Sequence, residues 1–217
     1  MRTTTKYPKS VREDHIGLFK SGENNAKLGD KITKGAWKGL PIYSLTLTER
    51  DTCPTTCYHW DDCYGNNMPF AHRFKAGDGL ESAIPEQLGK LAAKFPMGFV
   101  IRLHVLGDFY SPEYVKLWAD MLIQYPMMRI YGYSARMPGD PIYKELWLLN
   151  IRFSERVKIR FSHSKGYDSI DPFTIYSGTD KMEFDSIICP EQLGKTESCA
   201  TCGLCWGVKK SIKFLTH

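Results

Sequence analysis

The stretch DTCPTTCYHWDDCYGNN, residues 51–67, sets Cys53, Cys57 and Cys63 in one loop at spacing C-x3-C-x5-C. The stretch CPEQLGKTESCATCGLCW carries Cys189, Cys199, Cys202 and Cys205, the last three at C-x2-C-x2-C. All seven cysteines of the chain fall in these two groups, both rich in loop-forming residues. Thiols that merely fill core space scatter among strands and helices. An odd cysteine count and an N-terminus without an apolar leader run disfavour disulfides. Metal binding accounts for both groups.

The two spacings suit different chemistry. Three cysteines in consecutive x2 steps are typical of a ferredoxin-like loop around a [4Fe-4S] cluster; a zinc ribbon pairs two separate C-x2-C knuckles. Cys189, followed by Pro190, supplies a fourth thiolate and closes that site. Zinc is the alternative there, and either metal would help order this segment. The N-terminal trio has one thiolate too few for closure. It could hold three irons of a cubane and leave the fourth open to a cofactor, a water or a histidine (His59 or His72). A cysteine from the far group could also fill that position, so one cluster or two is left open.

These loops need elements to hold them. LPIYSLTLT (40–48) is β-rich and leads into the first cysteine loop. Residues 66–76 read as helical, as does IPEQLGKLAAKF (84–95), with Pro85 in its first turn. FVIRLHVLG (99–107) reads as a buried strand, and SPEYVKLWADMLIQ (111–124) as a helix with Ser111 at its N-cap. A strand at 128–134, a helix capped by Asp140 and Pro141, and a strand at 156–164 follow. FTIYS and FDSIIC are candidate short strands. Helix-linked alternation predicts an α/β fold: a partial (β/α) barrel or an open parallel sheet. Ligands in such folds gather at the C-terminal strand ends, where the first cysteine loop falls. The organisation reads as a basic extension (1–38), an α/β core (39–185) and a cysteine-rich segment (186–217).

Arg102 and His104 alternate with Ile101, Leu103 and Val105, which predicts both on one face of a buried strand, aimed at something polar. They are the candidate catalytic residues. Ser162, with His163 and Ser164, ends the fourth strand, where ribose or carboxylate contacts would fall.

The chain resembles the phage-encoded "gene product eighty-eight" family. The resemblance rests on NAKLGDKI (25–32), SLTLTERDTCPTTCYHWDDCYG (44–65), IRLHVLGDFYSPEYVKLWADML (101–122), RIYGYSAR (129–136) and CATCGLCW (199–206). It implies a phage origin and a cysteine-bound cluster, and supplies no reaction. A more distant resemblance is to the radical S-adenosylmethionine superfamily, whose cysteine loop follows the first barrel strand at spacing C-x3-C-x2-C. There a Gly-Gly-Glu type motif after the second strand holds the methionine amine. Here VLGDF puts Gly107 and Asp108 at that point, with Leu106 for one glycine and Asp for Glu. That resemblance implies S-adenosylmethionine contacts at Gly107 and Asp108; Ser134 and Ser162, where the third and fourth strands end, are the further candidate cofactor contacts. A plain turn before Ser111 is the other reading of Gly107-Asp108.

Net charge is +5, with lysines concentrated toward both ends (Lys20 to Lys38; Lys209, Lys210, Lys213). The expectation is a cytoplasmic iron–sulfur protein, in the host cell if phage-encoded, doing redox or radical chemistry on a substrate the sequence does not identify. The alternative is a zinc-stapled module whose basic ends bind nucleic acid, or which binds a host protein, without catalysis. No run is long enough for a membrane helix.

Overall fold

The computed structural model describes residues 5–162, 174–177 and 186–215. In chain order its strands are β1 (Val11–Arg12), β2 (Lys20–Ser21), β3 (Ile42–Leu45), β4 (Arg73–Phe74), β5 (Phe99–Leu103), β6 (Met128–Ser134), β7 (Val157–Ser162), β8 (Thr174–Ser177), β9 (Ile187–Ile188) and β10 (Ile212–Phe214). The helices are α1 (Glu49–Thr52), α2 (Asp78–Lys94), α3 (Pro112–Gln124), α4 (Pro141–Arg152), α5 (Cys199–Cys202) and α6 (Leu204–Gly207). One sheet runs in the order β2-β3-β5-β6-β7-β8-β10-β9, and β1 pairs separately with β4. Within the large sheet, among the described residues, only β2–β3 is antiparallel. The fold is therefore mixed α/β with an open, mostly parallel sheet.

Helical crossovers make the parallel order possible. On α3 the Ser111 hydroxyl accepts from Tyr114 N at 3.0 Å, and Tyr114, Val115, Trp118, Met121 and Leu122 form the buried stripe. On α4 the Asp140 carboxylate accepts from Ile142 N at 2.8 Å. These helices and α2 cover one sheet face, closing a core that includes Leu45, Ile101, Ile130 and Ile159. The opposite face meets a second core of Ile32, Trp37, Ile42, Val100, Tyr131 and the α5–α6 segment.

The structure departs from the expected elements in three places. Residues 66–76 are not helical: a 3-10 turn at Tyr64–Asn67 is followed by loop and by β4. Backbone pairing of Arg73 with Val11 on β1 overrides local propensity there. Helix α2 begins at Asp78, six residues before Ile84, so Pro85 lies in its interior. The Tyr125 hydroxyl donates to Pro85 O at 3.3 Å, outside the helix's own ladder. Strand β5 ends at Leu103, short of the expected Gly107.

The basic ends are also built into the fold. Leu18, Leu28, Ile32 and Trp37 are buried, and Cys199 N and Ala200 N donate to Lys27 O and Leu28 O. Lys213, which the sequence suggests as a surface charge, is 3% exposed on β10, a strand inserted between β8 and β9. Among the described residues, no helix is long and apolar enough to cross a membrane.

Candidate functional site

The parallel strands β3, β5 and β6 deliver their C-terminal loops to one edge, where the loops bond to each other. Asp108 N donates to Thr52 Oγ1 at 3.1 Å, which ties the loop after β5 to the cysteine loop after β3. Asp108 Oδ2 accepts from Ala135 N at 2.7 Å, and Oδ1 from Phe109 N at 2.7 Å. Arg136 closes the ring, donating from Nη2 to Thr52 O at 2.7 Å and from Nε to Phe109 O at 2.9 Å. Gly107 sits at φ +84°. A Cβ there would come within 2.7 Å of Leu47 Cβ and Thr52 Oγ1, so only glycine allows this approach.

Gly107 and Asp108 therefore act first as the turn that joins three loops. Both Asp108 oxygens accept backbone amides, and Ser134 adds a side-chain bond. Burial raises the Asp108 carboxyl to about 6 despite Arg136 and these donors, which pull the other way. Ser134 is 1% exposed and also accepts from Arg136 N at 3.2 Å. Ser162 ends β7, half-buried; His163 and Ser164 lie outside the described residues.

Cys53, the C-cap of α1, leads Cys57 and Cys63 at this edge. The thiols lie close enough that Cys57 and Cys63 raise the Cys53 pKa, and Asp108 raises those of Cys53 and Cys57. Burial is the largest cause: it lifts Cys53 well above the usual thiol range and Cys57 to about 11, and it raises Cys63. As free thiols they are protonated near neutral pH, which argues against a lone nucleophilic cysteine.

Three arginines hold this loop. Arg50 donates to Trp60 O and lies over the Trp60 ring at 4.9 Å. Arg136 holds Thr52 O, next to Cys53. Arg73, 0% exposed, pairs with Glu49 at 2.9 Å and donates to Gly65 O, Met68 O, Ala71 O and Ser10 Oγ. Sequence reasoning singled out none of the three. The one local signal was Arg136, inside a polar segment at a strand end.

The structure separates Arg102 from His104, against the expectation of a shared face. Because β5 ends at Leu103, the alternation stops there. His104 turns to the helical side, with Nε2 3.0 Å from Tyr114 Oη and its ring 4.8 Å from that of Phe109. Burial drives its pKa down to about 3, so the ring is neutral. Arg102 faces the other way, 5.8 Å from the Tyr133 ring centroid, with Nε buried and without a hydrogen-bond partner. Burial opposes its charge, while Tyr131, Tyr133, Cys199 and Tyr64 lie close enough to favour it in their deprotonated forms.

Cys189, Cys199, Cys202 and Cys205 all line one small cavity, together with Pro190, Gly203 and Trp206. Helix α5 opens with a Ser198–Thr201 capping box and ends at Gly203, φ +70°, which turns the chain directly into α6. Trp206 anchors α6 between Trp37, stacked at 5.5 Å, and Tyr131, at 4.7 Å. The Tyr133 hydroxyl donates to Cys205 Sγ at 2.8 Å. Arg160 donates to Cys205 O, Leu204 O, Val208 O and Lys210 O. Burial raises the Cys199 thiol to about 12 and raises Cys205; Arg102 opposes the shift at both.

All seven thiols are free. Among the described residues, no three His, Cys, Asp or Glu side chains stand in a ready-made single-ion shell. His59 pairs with Asp62 at 3.1 Å, and His72 lines a surface groove with Lys6 and Phe70. The donor sets fit thiolate-ligated metal in their chemistry: grouped sulfurs, adjacent arginines and a hydroxyl donor.

A family model described as Gene product 88 matches residues 18–207. The Gene 88 protein of Mycobacterium phage D29 is 30% identical over 133 residues, covering 54% of this chain and 55% of the relative. That of Mycobacterium phage L5 is 29% identical over 132 residues, covering 54% of each. In each match the aligned region spans about half the length of the curated relative. No solved structure matches the chain.

Proposed function

The chain belongs to the Gene product 88 family, and from its two groups of free thiols we propose that it is a cysteine-ligated iron–sulfur protein. Cys189, Cys199, Cys202 and Cys205 form the closed site, and Cys53, Cys57 and Cys63 form a three-thiolate site. The observation that carries this reading is the convergence of four cysteines, from two segments, on one cavity without a disulfide. A [4Fe-4S] cluster there supplies one-electron chemistry, and on three thiolates it leaves one iron for a ligand other than cysteine.

The chain's own residues support that chemistry in stated ways. Arg102 and Arg160 lie beside the closed site and offset thiolate charge in a setting that raises thiol pKa. Tyr133 offers a hydrogen bond to a ligand sulfur. At the strand edge, Arg50, Arg73 and Arg136 hold the three-thiol loop by its carbonyls, so its backbone needs little further ordering on metal binding. Metal must displace protons from these thiols, so loading is favoured at higher pH.

The finer reading is S-adenosylmethionine at the open position, with radical chemistry on a second substrate. It draws support from the trio's position after β3, at the C-terminal edge of the parallel sheet. Asp108 is a constrained partner for the cofactor amine, since both of its oxygens already accept amides.

The test is anaerobic purification and reconstitution, with iron, sulfide and zinc assays and electron spin resonance. Serine variants of Cys57 and of Cys199 should each remove part of the iron. Stoichiometric zinc with no iron and no charge-transfer absorbance would overturn the reading in favour of a zinc-stapled module. An intact cluster that neither binds nor cleaves S-adenosylmethionine would remove only the finer reading.

A further inference from the structure

A surface groove of ≈ 410 Å³ lies between the N-terminal segment and the loop after Cys63. Its walls are pre-set. The Arg73 guanidinium holds Ser10 Oγ at 2.9 Å on one side, and Met68 O at 3.1 Å and Ala71 O at 2.8 Å on the other. Tyr7 Oη donates to Asn66 O at 2.7 Å across the same gap, and β1 pairs with β4 beneath it. A site whose shape is fixed beforehand loses little freedom on binding.

The lining joins two features. Phe70 is 92% exposed, a large uncovered ring on a loop that Arg73 holds on both sides. Lys6, Lys9 and His72 share the groove, and among the described residues no acidic one lines it. An isolated exposed apolar residue needs no explanation, but an aromatic platform in a groove whose ionisable neighbours Lys6, Lys9 and His72 are all basic has a matching ligand chemistry. A nucleobase offers a face for Phe70, and its flanking phosphates offer charge for Lys6 and Lys9. Tyr7 is a second aromatic wall, with the Lys6 ammonium 5.7 Å and the Arg73 guanidinium 5.5 Å from its ring centroid. The volume suits one base with its sugar and phosphate. A duplex hides base faces within its stack, so it could offer only its phosphates.

We propose that this groove binds single-stranded nucleic acid, with an unpaired base stacked on Phe70 and backbone phosphates on Lys6 and Lys9. The net charge of +5 favours encounter with a polyanion. The site uses none of the seven cysteines, so strand binding and metal content can be read independently.

The test is fluorescence anisotropy with a labelled thymidine oligonucleotide, a uridine oligonucleotide and a duplex of equal length, over a salt series. Either single strand should bind more tightly than the duplex. Phe70→Ala should weaken single-strand binding roughly tenfold. The double variant Lys6→Ala/Lys9→Ala should weaken it and flatten the log–log salt slope by about 0.7 for each phosphate no longer neutralised. All three side chains are exposed, so an unchanged urea midpoint and circular dichroism spectrum should accompany both variants. No single-strand binding at low salt, equal or tighter binding of the duplex, or binding that neither variant weakens would overturn the proposal. So would tighter binding of an acidic peptide of matched charge.

Discussion

The Tyr133 hydroxyl, on β6, donates to Cys205 Sγ, on α6, at 2.8 Å. This bond joins the sheet to the cysteine-rich segment at the sulfur itself. It is also the largest influence opposing the burial that raises the Cys205 pKa.

Replacing Tyr133 by Phe keeps the ring and removes the donor. A hydrogen bond to a ligand sulfur favours the more electron-rich, reduced cluster. We therefore expect Tyr133→Phe to lower the reduction potential of the reconstituted four-cysteine site and leave its iron content intact. A redox titration followed by spin resonance checks this, and an unchanged potential would count against the assigned ligand.

Gly107→Ala should destabilise the fold for two separable reasons. The positive φ costs about 1–2 kcal/mol, and the contacts with Leu47 and Thr52 add about 1–3 kcal/mol of overpacking. Gly139→Ala is the control, with φ +95° and nothing within 4 Å of a new Cβ. Urea unfolding should give a clearly larger loss at 107 than at 139.

Arg73→Lys removes the planar fork that serves Glu49 and three carbonyls. The pair is almost fully buried, at 0% and 2% side-chain exposure. Lysine keeps the charge opposite Glu49 but cannot serve all of these acceptors, and each buried group left without its partner costs about 1–3 kcal/mol. We expect a loss of that order in chemical denaturation, with less iron retained at the three-thiol loop.

His104 should make the protein acid-sensitive. Its folded pKa is depressed from 6.5 to about 3 by burial, so below pH 6.5 the unfolded chain binds the extra proton. The stability from the neutral, buried ring is present above 6.5 and is lost as pH falls toward 3. The size of the effect is on the order of 5 kcal/mol over that window. His104→Phe should flatten this part of the stability–pH curve. A curve with unchanged slope would mean that another group titrates there.

Much of the scaffold was legible because local signals agreed. Ser111-Pro112 and Asp140-Pro141 mark α3 and α4, and the apolar run at 128–134 marks β6 over the same residues the structure gives it. The two cysteine groups were legible by spacing alone. Strand β10 was not: IKF is short, follows two lysines, and becomes a strand only because β8 and β9 flank it. Arg102 and His104 were misread because alternation predicts a face only while the strand continues, and it stops at Leu103.

The sequence by itself determined the donor set: seven thiols in two groups, a helix-linked parallel sheet, and the strand edge where the first loop falls. Tertiary structure decided which groups those donors meet. Lys27, Leu28 and Thr33 bond to α5, Arg73 joins the Ser10 hydroxyl to carbonyls across a groove, and Arg136 reaches back to Thr52. The physical reason is range. Spacing and caps act within a few residues, whereas a buried arginine finds its acceptors through packing between segments distant in sequence.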